Sequence, residues 1–383
     1  MKISRYDLFA VPPRWLFLRL ETEDGLVGWG EPIVEGRART VASAVHELME
    51  KYVLGLDVSR IEDVWQVLYR GGFYRGGPIL MSALAGIDQA LWDLKGRALG
   101  VPVYELLGGP CRDRVRVYRW VGGDAPEEVA EEAKRAVAEG FTALKMNVAG
   151  RLLPIESPRK VREIVDSFAQ VRDAVGEAVD LALDFHGRVS PSLAPGLAKA
   201  LEPYRPLFYE EPLVPLLPAR LAQLKSITVV PLAFGERLYS RWDFRPFLEM
   251  GVVDVVQPDL SHAGGITECK KIAVLADTYG ALVAFHCPLG PIALAASLHV
   301  AAATPNFLIQ ETSFRLHYHD GVELTDYLKE PSVFSVKGGY IELPKGPGLG
   351  IEIDEGEVRD AAVKGHDWTN PVWRHRDGSL AEW

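Results

Sequence analysis

The sequence predicts an α/β protein, a parallel β/α barrel carrying a smaller α+β unit at its N-terminal side, and three observations predict it. From Leu181 to Glu311, short apolar runs end one after another in polar residues: Asp184-Phe185-His186, Glu210-Glu211-Pro212, Gly235-Glu236-Arg237, Gln257-Pro258-Asp259, His286-Cys287-Pro288 and Gln310-Glu311. Each precedes a loop or a candidate helix, the pattern of a barrel whose chemistry sits at the C-terminal ends of its strands. Asp184, Glu210 and Glu236 are spaced 26 residues apart each time, close to one β/α unit, so all three can face one mouth. From residue 115 onward the texture alternates short strand and long helix, eight strands in roughly 200 residues, the size of such a barrel.

Residues 3–9, 15–22 and 26–31 read as strands, the last two joined at Glu23-Asp24-Gly25, where the Asp-Gly pair favours a hairpin. Helices are predicted at 37–54, 61–69 and 79–99; in the last, Leu80, Leu84, Ile87, Leu91 and Leu94 recur at helical spacing. Gly108-Gly109-Pro110 closes this α+β unit, giving a first domain over 1–112. The barrel, over 113–325, opens with a strand at 115–118 and a helix at 125–139 with Pro126 in its first turn. A strand at 143–146 and a helix at 158–175 follow. The remaining strands are predicted to end at Asp184, Tyr209, Phe234, Gln257, Phe285 and near Ile309. In the tail, 334–340 and Glu342-Leu343 suggest returning strands, and 368–383 is rich in Trp, Arg and Asp. A segment with that much tryptophan needs cover, so 326–383 is expected to pack back on the first domain or into a subunit contact.

A hydrophobic fraction of 48% with 25% charged residues fits a soluble globular chain, and a net charge of -10 gives no reason to expect a nucleic-acid partner. Cys111, Cys269 and Cys287 are too scattered for a disulfide framework or a thiolate metal site. No apolar stretch follows the opening Met1-Lys2-Ile3-Ser4-Arg5-Tyr6, and the apolar run around 292–303 is too short for a membrane span and contains His299. A cytoplasmic protein is the expectation.

Three carboxylates around one point repel unless a cation lies between them, and oxygen donors without thiolates suit Mg²⁺. Asp259 and His286 end adjacent strands, so a hydrogen bond between them is natural and makes the imidazole more basic. His186 lies two residues beyond Asp184 and shares its face. A metal-polarised carboxylate flanked by two histidines suits removal of the neighbouring proton and donation of another elsewhere. His262 and His299 read as structural, His299 in the core or on a helix face.

The segments Leu144-Lys145-Met146-Asn147, Leu183-Asp184-Phe185-His186-Gly187-Arg188, Glu210-Glu211-Pro212, Gly235-Glu236-Arg237, Gln257-Pro258-Asp259-Leu260-Ser261-His262-Ala263-Gly264-Gly265 and His286-Cys287-Pro288-Leu289-Gly290, with the ending from Asn370 to Ser379, resemble the mandelate racemase subgroup of the enolase superfamily. Within it they most resemble members that dehydrate D-galactonate. The resemblance implies a modified TIM barrel, (β/α)7β, with an α+β N-terminal capping domain completed by the C-terminal tail. It implies Mg²⁺ on Asp184, Glu210 and Glu236; His286 as the base, supported by Asp259; His186 as the acid; and Glu311 stabilising the intermediate. His286 would start neutral and His186 charged. Lys145 and Asn147 would contact substrate; Asn147 departs from the Lys-x-Lys of many relatives and, being neither acid nor base, favours elimination over two-base racemisation. Loops at Arg14-Trp15 and 71–77 are expected nearest the site, while Gly122-Gly123 eases a turn. The implied activity is dehydration of D-galactonate to 2-dehydro-3-deoxy-D-galactonate. Alternatives are another sugar acid such as gluconate or a pentonate, a racemisation, or a non-catalytic sugar-acid binder. The implied partner is a small aldonate, with no nucleic acid, no membrane, and a homo-oligomer such as a dimer or octamer.

Overall fold

The computed structural model describes residues 1–57, 59–123, 125–214, 218–319 and 321–383. It begins with an antiparallel meander of β1 (Ile3–Val11), β2 (Trp15–Thr22) and β3 (Val27–Gly30). The central β2 is buried along nearly its whole length, which its unbroken apolar start, Trp15-Leu16-Phe17-Leu18, demands. The helices α1 (Ala38–Leu48), α2 (Ile61–Arg70), α3 (Pro78–Leu99) and α4 (Val103–Leu106) follow. The helix predicted at 37–54 widens into a π turn over Met49–Val53. Helix α3 is buried on nearly all sides and lies against β3 with no room to spare: a β-carbon on Gly30 would sit 1.9 Å from the Gly86 carbonyl oxygen.

The barrel strands are β4 (Arg114–Trp120), β5 (Ala143–Asn147), β6 (Asp180–Asp184), β7 (Tyr209–Glu210), β8 (Leu232–Phe234), β9 (Val255–Val256), β10 (Leu282–Val283) and β11 (Gln310–Thr312). They pair in parallel in chain order from β4 to β10, and β11 returns beside β4. A parallel bridge from Val283 to Phe307 closes the ring, with Val283 N donating to Asn306 O (2.9 Å) and Leu308 N to Val283 O (2.8 Å). Between successive strands run α5 (Pro126–Ala138), α6 (Pro158–Val175), α7 (Ala194–Leu201), α8 (Pro218–Lys225), α9 (Arg241–Glu249), α10 (Gly265–Thr278) and α11 (Pro291–Ala302). Seven β/α units and a closing strand result among the described residues. Inside the ring, Tyr118, Ala143, Ala182, Phe208, Ala233, Val255, Ala284 and Ile309 form a dry layer in which two aromatic rings are accommodated by small neighbours.

Strands β9 and β10 stop at Val256 and Val283, short of the predicted Gln257 and Phe285, and β11 starts at Gln310, after Ile309. There the backbone leaves the ladder for the loops that carry polar side chains, retaining one isolated bridge between Asp259 and His286. The tail also differs from expectation. Pro331–Phe334 is a 3₁₀ turn, which a proline at its start suits, and only β12 (Tyr340–Glu342) is a strand. It pairs antiparallel with the start of β4, on the barrel. Helix α12 (Glu355–Lys364) does lie on the N-terminal meander, with Arg359 over Phe9 and Glu355 paired to Arg19 at 3.0 Å.

The N-terminal unit grips the barrel through buried polar groups. Glu31 accepts from Gly290 N (2.7 Å) and Ala293 N (3.0 Å) at the start of α11, and Gln89 donates to Leu260 O (2.9 Å) and Ser261 Oγ (3.1 Å). Burial pushes the Glu31 carboxyl up to about 8 despite those two N–H donors. His299 lies in the core within α11, stacked on Tyr104, and burial lowers it to about 4.

Candidate active site

A cavity of about 930 Å³ opens at the C-terminal ends of the barrel strands. Lys145, Asn147, Asp184, His186, Glu236, His286 and Glu311 line it, and Glu210 lies buried beside Lys145. The register sets them at one level: Asn147 is paired with Asp184, and Asp184 with Glu210. The N-terminal unit supplies Arg14 and Glu35 to the wall, and the tail supplies Asn370, Trp373 and Trp383.

One lysine is shared among three of the carboxylates, and the fourth turns to the histidines. Lys145 Nζ donates to Glu210 Oε1 (2.5 Å), is 2.7 Å from Glu311 Oε1 and 3.9 Å from Asp184 Oδ2. Gln257 Nε2 donates to the other Glu210 oxygen (2.7 Å). Burial drives the Glu210 carboxyl well above its usual range; Lys145 opposes this, while Asp184, Glu311 and Glu236 add to it. For Lys145 burial acts downward, yet Glu210 and Glu311 hold it charged, well above an ordinary lysine. Glu236 is turned toward the histidines, 3.2 Å from His286 Nε2 and 4.0 Å from His186 Nε2. Burial would raise Glu236, but His286, His186 and Arg237 outweigh it and lower it to about 2.

Asp184, Glu210 and Glu236 therefore fit a hard divalent ion in donor chemistry and in excess buried negative charge. They are not drawn together as one chelating group: among the described residues the trio whose ligand atoms all lie within 4.8 Å is Asp259, His262 and His286. An ion held by all three carboxylates requires them to turn from Lys145 and His286 toward it.

His286 Nδ1 meets Asp259 Oδ2 at 2.8 Å, and the other Asp259 oxygen accepts from Ser261 N (2.6 Å) and His262 N (3.1 Å), which fixes the carboxylate. The ring thus carries its proton on Nδ1 and aims Nε2 toward Glu236. His186 is the reverse. Arg188 Nη2, which can only donate, lies 2.6 Å from Nδ1, so the neutral ring bears its proton on Nε2, toward the cavity. Its backbone is left-handed (φ 55°), held by its own N–H on Asp184 Oδ1 (2.7 Å) and by Arg237 donating to its carbonyl (2.6 Å).

The surroundings pull the two rings in directions opposite to the charges that the resemblance implies for the reacting site. Burial acts to lower His286, but Glu236, Glu311 and Asp259 raise it to about 10. Burial lowers His186, and Arg188 and Arg237 reinforce this against Asp184 and Glu236. The reason is placement: His286 faces carboxylates, and His186 sits between guanidinium groups.

His262 is not remote from the site. It lines the cavity 3.1 Å from Glu35 Oε2 and 3.6 Å from Asp259 Oδ2. Its place one turn past a strand end gave no periodic signal. Glu35, Tyr239, Trp373 and Trp383 had none either, beyond the tryptophan content of the tail. The 71–77 loop stands away from the cavity, with Phe73 and Tyr74 at 90% and 86% exposure, and only Pro78 beyond it reaches the wall. Gly122 does more than ease a turn: a β-carbon there would come 1.7 Å from the Trp120 ring, which folds back over it.

Residues 12–108 match the family model for the mandelate racemase / muconate lactonizing enzyme N-terminal domain, and 128–357 match the enolase C-terminal domain-like model. Two curated relatives, from Ralstonia pickettii (strain 12J) and Ralstonia nicotianae (strain ATCC BAA-1114 / GMI1000), are each described as D-galactonate dehydratase. Both are 55% identical over 383 residues, covering 100% of this chain and of the relative. A crystal structure from Agrobacterium radiobacter, described as an enolase with a provisional galactarate dehydratase assignment and with Na and L-malate bound, superposes with a TM-score of 0.91 at 36% identity over 100% of both chains. A mandelate racemase/muconate lactonizing enzyme from Sulfitobacter sp. superposes at 0.89 with 31% identity, again over 100% of both.

Proposed function

Because the chain belongs to the mandelate racemase / muconate lactonizing enzyme family of the enolase superfamily, we infer that it is a hydro-lyase that dehydrates D-galactonate to 2-dehydro-3-deoxy-D-galactonate. Full-length identity to two D-galactonate dehydratases supports the substrate. The observation that carries the reaction class is the opposed pair of histidines, His286 with Nδ1 on Asp259 and Nε2 turned inward, His186 with Nδ1 on Arg188 and Nε2–H turned inward, across one carboxylate-floored cavity.

Superfamily members use Mg²⁺, and Asp184, Glu210 and Glu236 are the residues we assign to hold it here. When bound, it supplies positive charge against the substrate carboxylate as C2 loses its proton. His286 Nε2 takes that proton, while Asp259 keeps the Nδ1 proton in place and steadies the imidazolium that forms. Glu236 is the largest influence raising His286; engaged with a cation it would raise the ring less, moving His286 toward the neutral form that accepts a proton. Lys145 and Asn147 meet the substrate at the floor, and Glu311, held by Lys145 and by Cys287 N (2.9 Å), stabilises the charge that develops. His186 first takes up a proton at Nδ1 as Arg188 yields, and the resulting imidazolium gives its Nε2–H to the C3 hydroxyl. The C3–O bond breaks, water leaves with that proton, and His186 returns to the neutral ring. The enol product then gains a proton at C3 and loses its hydroxyl proton, becoming the 2-keto acid.

The test is a panel of aldonates incubated with Mg²⁺ in D₂O, scored for 2-keto product and for C2 hydrogen exchange. His286→Asn is expected to lose both signals, and His186→Asn to lose product while keeping exchange. Preference for gluconate over galactonate would reject the substrate, and exchange with inversion but no keto product would reject the dehydratase.

A further inference from the structure

The tail reaches the reaction centre at one residue in particular. Residues 373–383 form a small hairpin: Arg374 bridges Leu380, Ala381 N donates to Trp373 O (3.0 Å), and the turn at Asp377-Gly378-Ser379 is held by Ser379 N and Oγ on Asp377 Oδ1. Gly378 has φ 86°, the left-handed conformation such a turn requires. The hairpin returns Trp383 to within 6.5 Å of Trp373, ring to ring. It is tied to the barrel by Arg151 donating to Arg374 O (2.6 Å) and by Glu382 at 4.0 Å from Arg237.

These two tryptophans enclose the His186 assembly. Trp383 meets the His186 ring edge to face at 5.6 Å, and Trp373 lies under the Arg188 guanidinium at 4.8 Å. Arg188 in turn donates to His186 Nδ1 and to Ala149 O (2.9 Å). His286, across the cavity, touches neither tryptophan; it is set by Asp259, Glu236 and Glu311. The ring that assists departure of the hydroxyl thus has one wall from the barrel and one from the tail, whereas the proton-abstracting ring is built from the barrel alone.

We propose that Trp383 is a positioning residue for His186, so that the tail hairpin controls elimination separately from proton abstraction at C2. This rests on the assignment of His186 to hydroxyl departure. Losing Trp383 frees the imidazole to turn from the C3 hydroxyl, and leaves His286 and Asp259 as they are.

The decisive measurement is Trp383→Ala on the full chain with Mg²⁺ and D-galactonate in D₂O, following 2-keto product and C2 exchange in one sample. Product formation is expected to fall at least tenfold while exchange stays within about threefold of the wild type, and Trp383→Phe, which keeps a ring edge, should recover most of the loss. Elimination that is unchanged, raised, or reduced in parallel with exchange overturns the proposal. His186→Asn in the same assay separates the two ideas: if that variant still eliminates, the underlying assignment has failed. If it does not eliminate and Trp383→Ala does, the assignment stands and the role of the hairpin is refuted.

Discussion

Glu236 acts on both histidines, because its two oxygens point to different rings, and it is the largest of the influences that raise His286. Any change that withdraws it from His286 moves the base toward neutrality, so the protein with Glu236 engaged by Mg²⁺ is expected to show a lower kinetic pKa for the base than the about 10 to which Glu236, Glu311 and Asp259 together raise it. Glu210 supports a different test. Replacing it by Gln keeps the shape but removes a charge from the set around Lys145, so Mg²⁺ affinity measured by calorimetry should drop by at least tenfold with the circular dichroism unchanged. Full turnover in a chelated sample would sink the metal assignment. Glu31 bears on stability instead. Its folded pKa of about 8 lies above the ordinary 4.5, so the folded chain holds a proton that the unfolded chain releases. That contribution is whole below about pH 4.5 and is lost as pH rises through about 8. Glu31→Gln should therefore lose less Tm than the wild type over that window, and a parallel loss would show that Glu31 is not the cause.

At the level of elements, the strand-end acids were legible because a parallel ladder repeats every β/α unit, and a repeat survives uncertain boundaries. The exact ends were not, since β9 and β10 are two residues long and give the pattern little to act on. Asp259 and His286 followed from adjacency and Glu311 from the family resemblance, whereas Glu35 and Trp383 are brought in by chain segments far away in sequence, whose local pattern carries no trace of the destination. That His262 lies on the cavity wall was not legible for a related reason: its neighbours in space, Glu35 and Asp259, come from different units. The histidine charges escaped too, because they depend on which way Glu236 and Arg188 turn. Packing of α3 on β3 is testable at one atom. Gly30→Ala would press a methyl into the Gly86 carbonyl, backbone on backbone, and should cost about 1–3 kcal/mol in urea unfolding with an unchanged m-value.

Across the whole molecule, one apolar core runs from Ile3 in the meander through the barrel to Val358 in α12. With Glu31, Gln89 and Asp88 also bridging the two parts, the N-terminal unit and the barrel are expected to unfold together, in a single calorimetric transition; two resolved transitions would show that the bridge is weak. Closure of the ring has a further consequence, which concerns how activity is regained. Glu311 stands on β11, the strand that completes the circle by pairing with β4, Glu311 opposite Tyr118 and so 193 residues away, and its carboxylate is the one that meets both Lys145 and the His286 loop. Pairings between such distant segments form late, because a long loop must be ordered before any contact rewards it. A refolding chain should accordingly recover its helical signal early and its turnover last, the first molecule of product marking the moment the circle shuts.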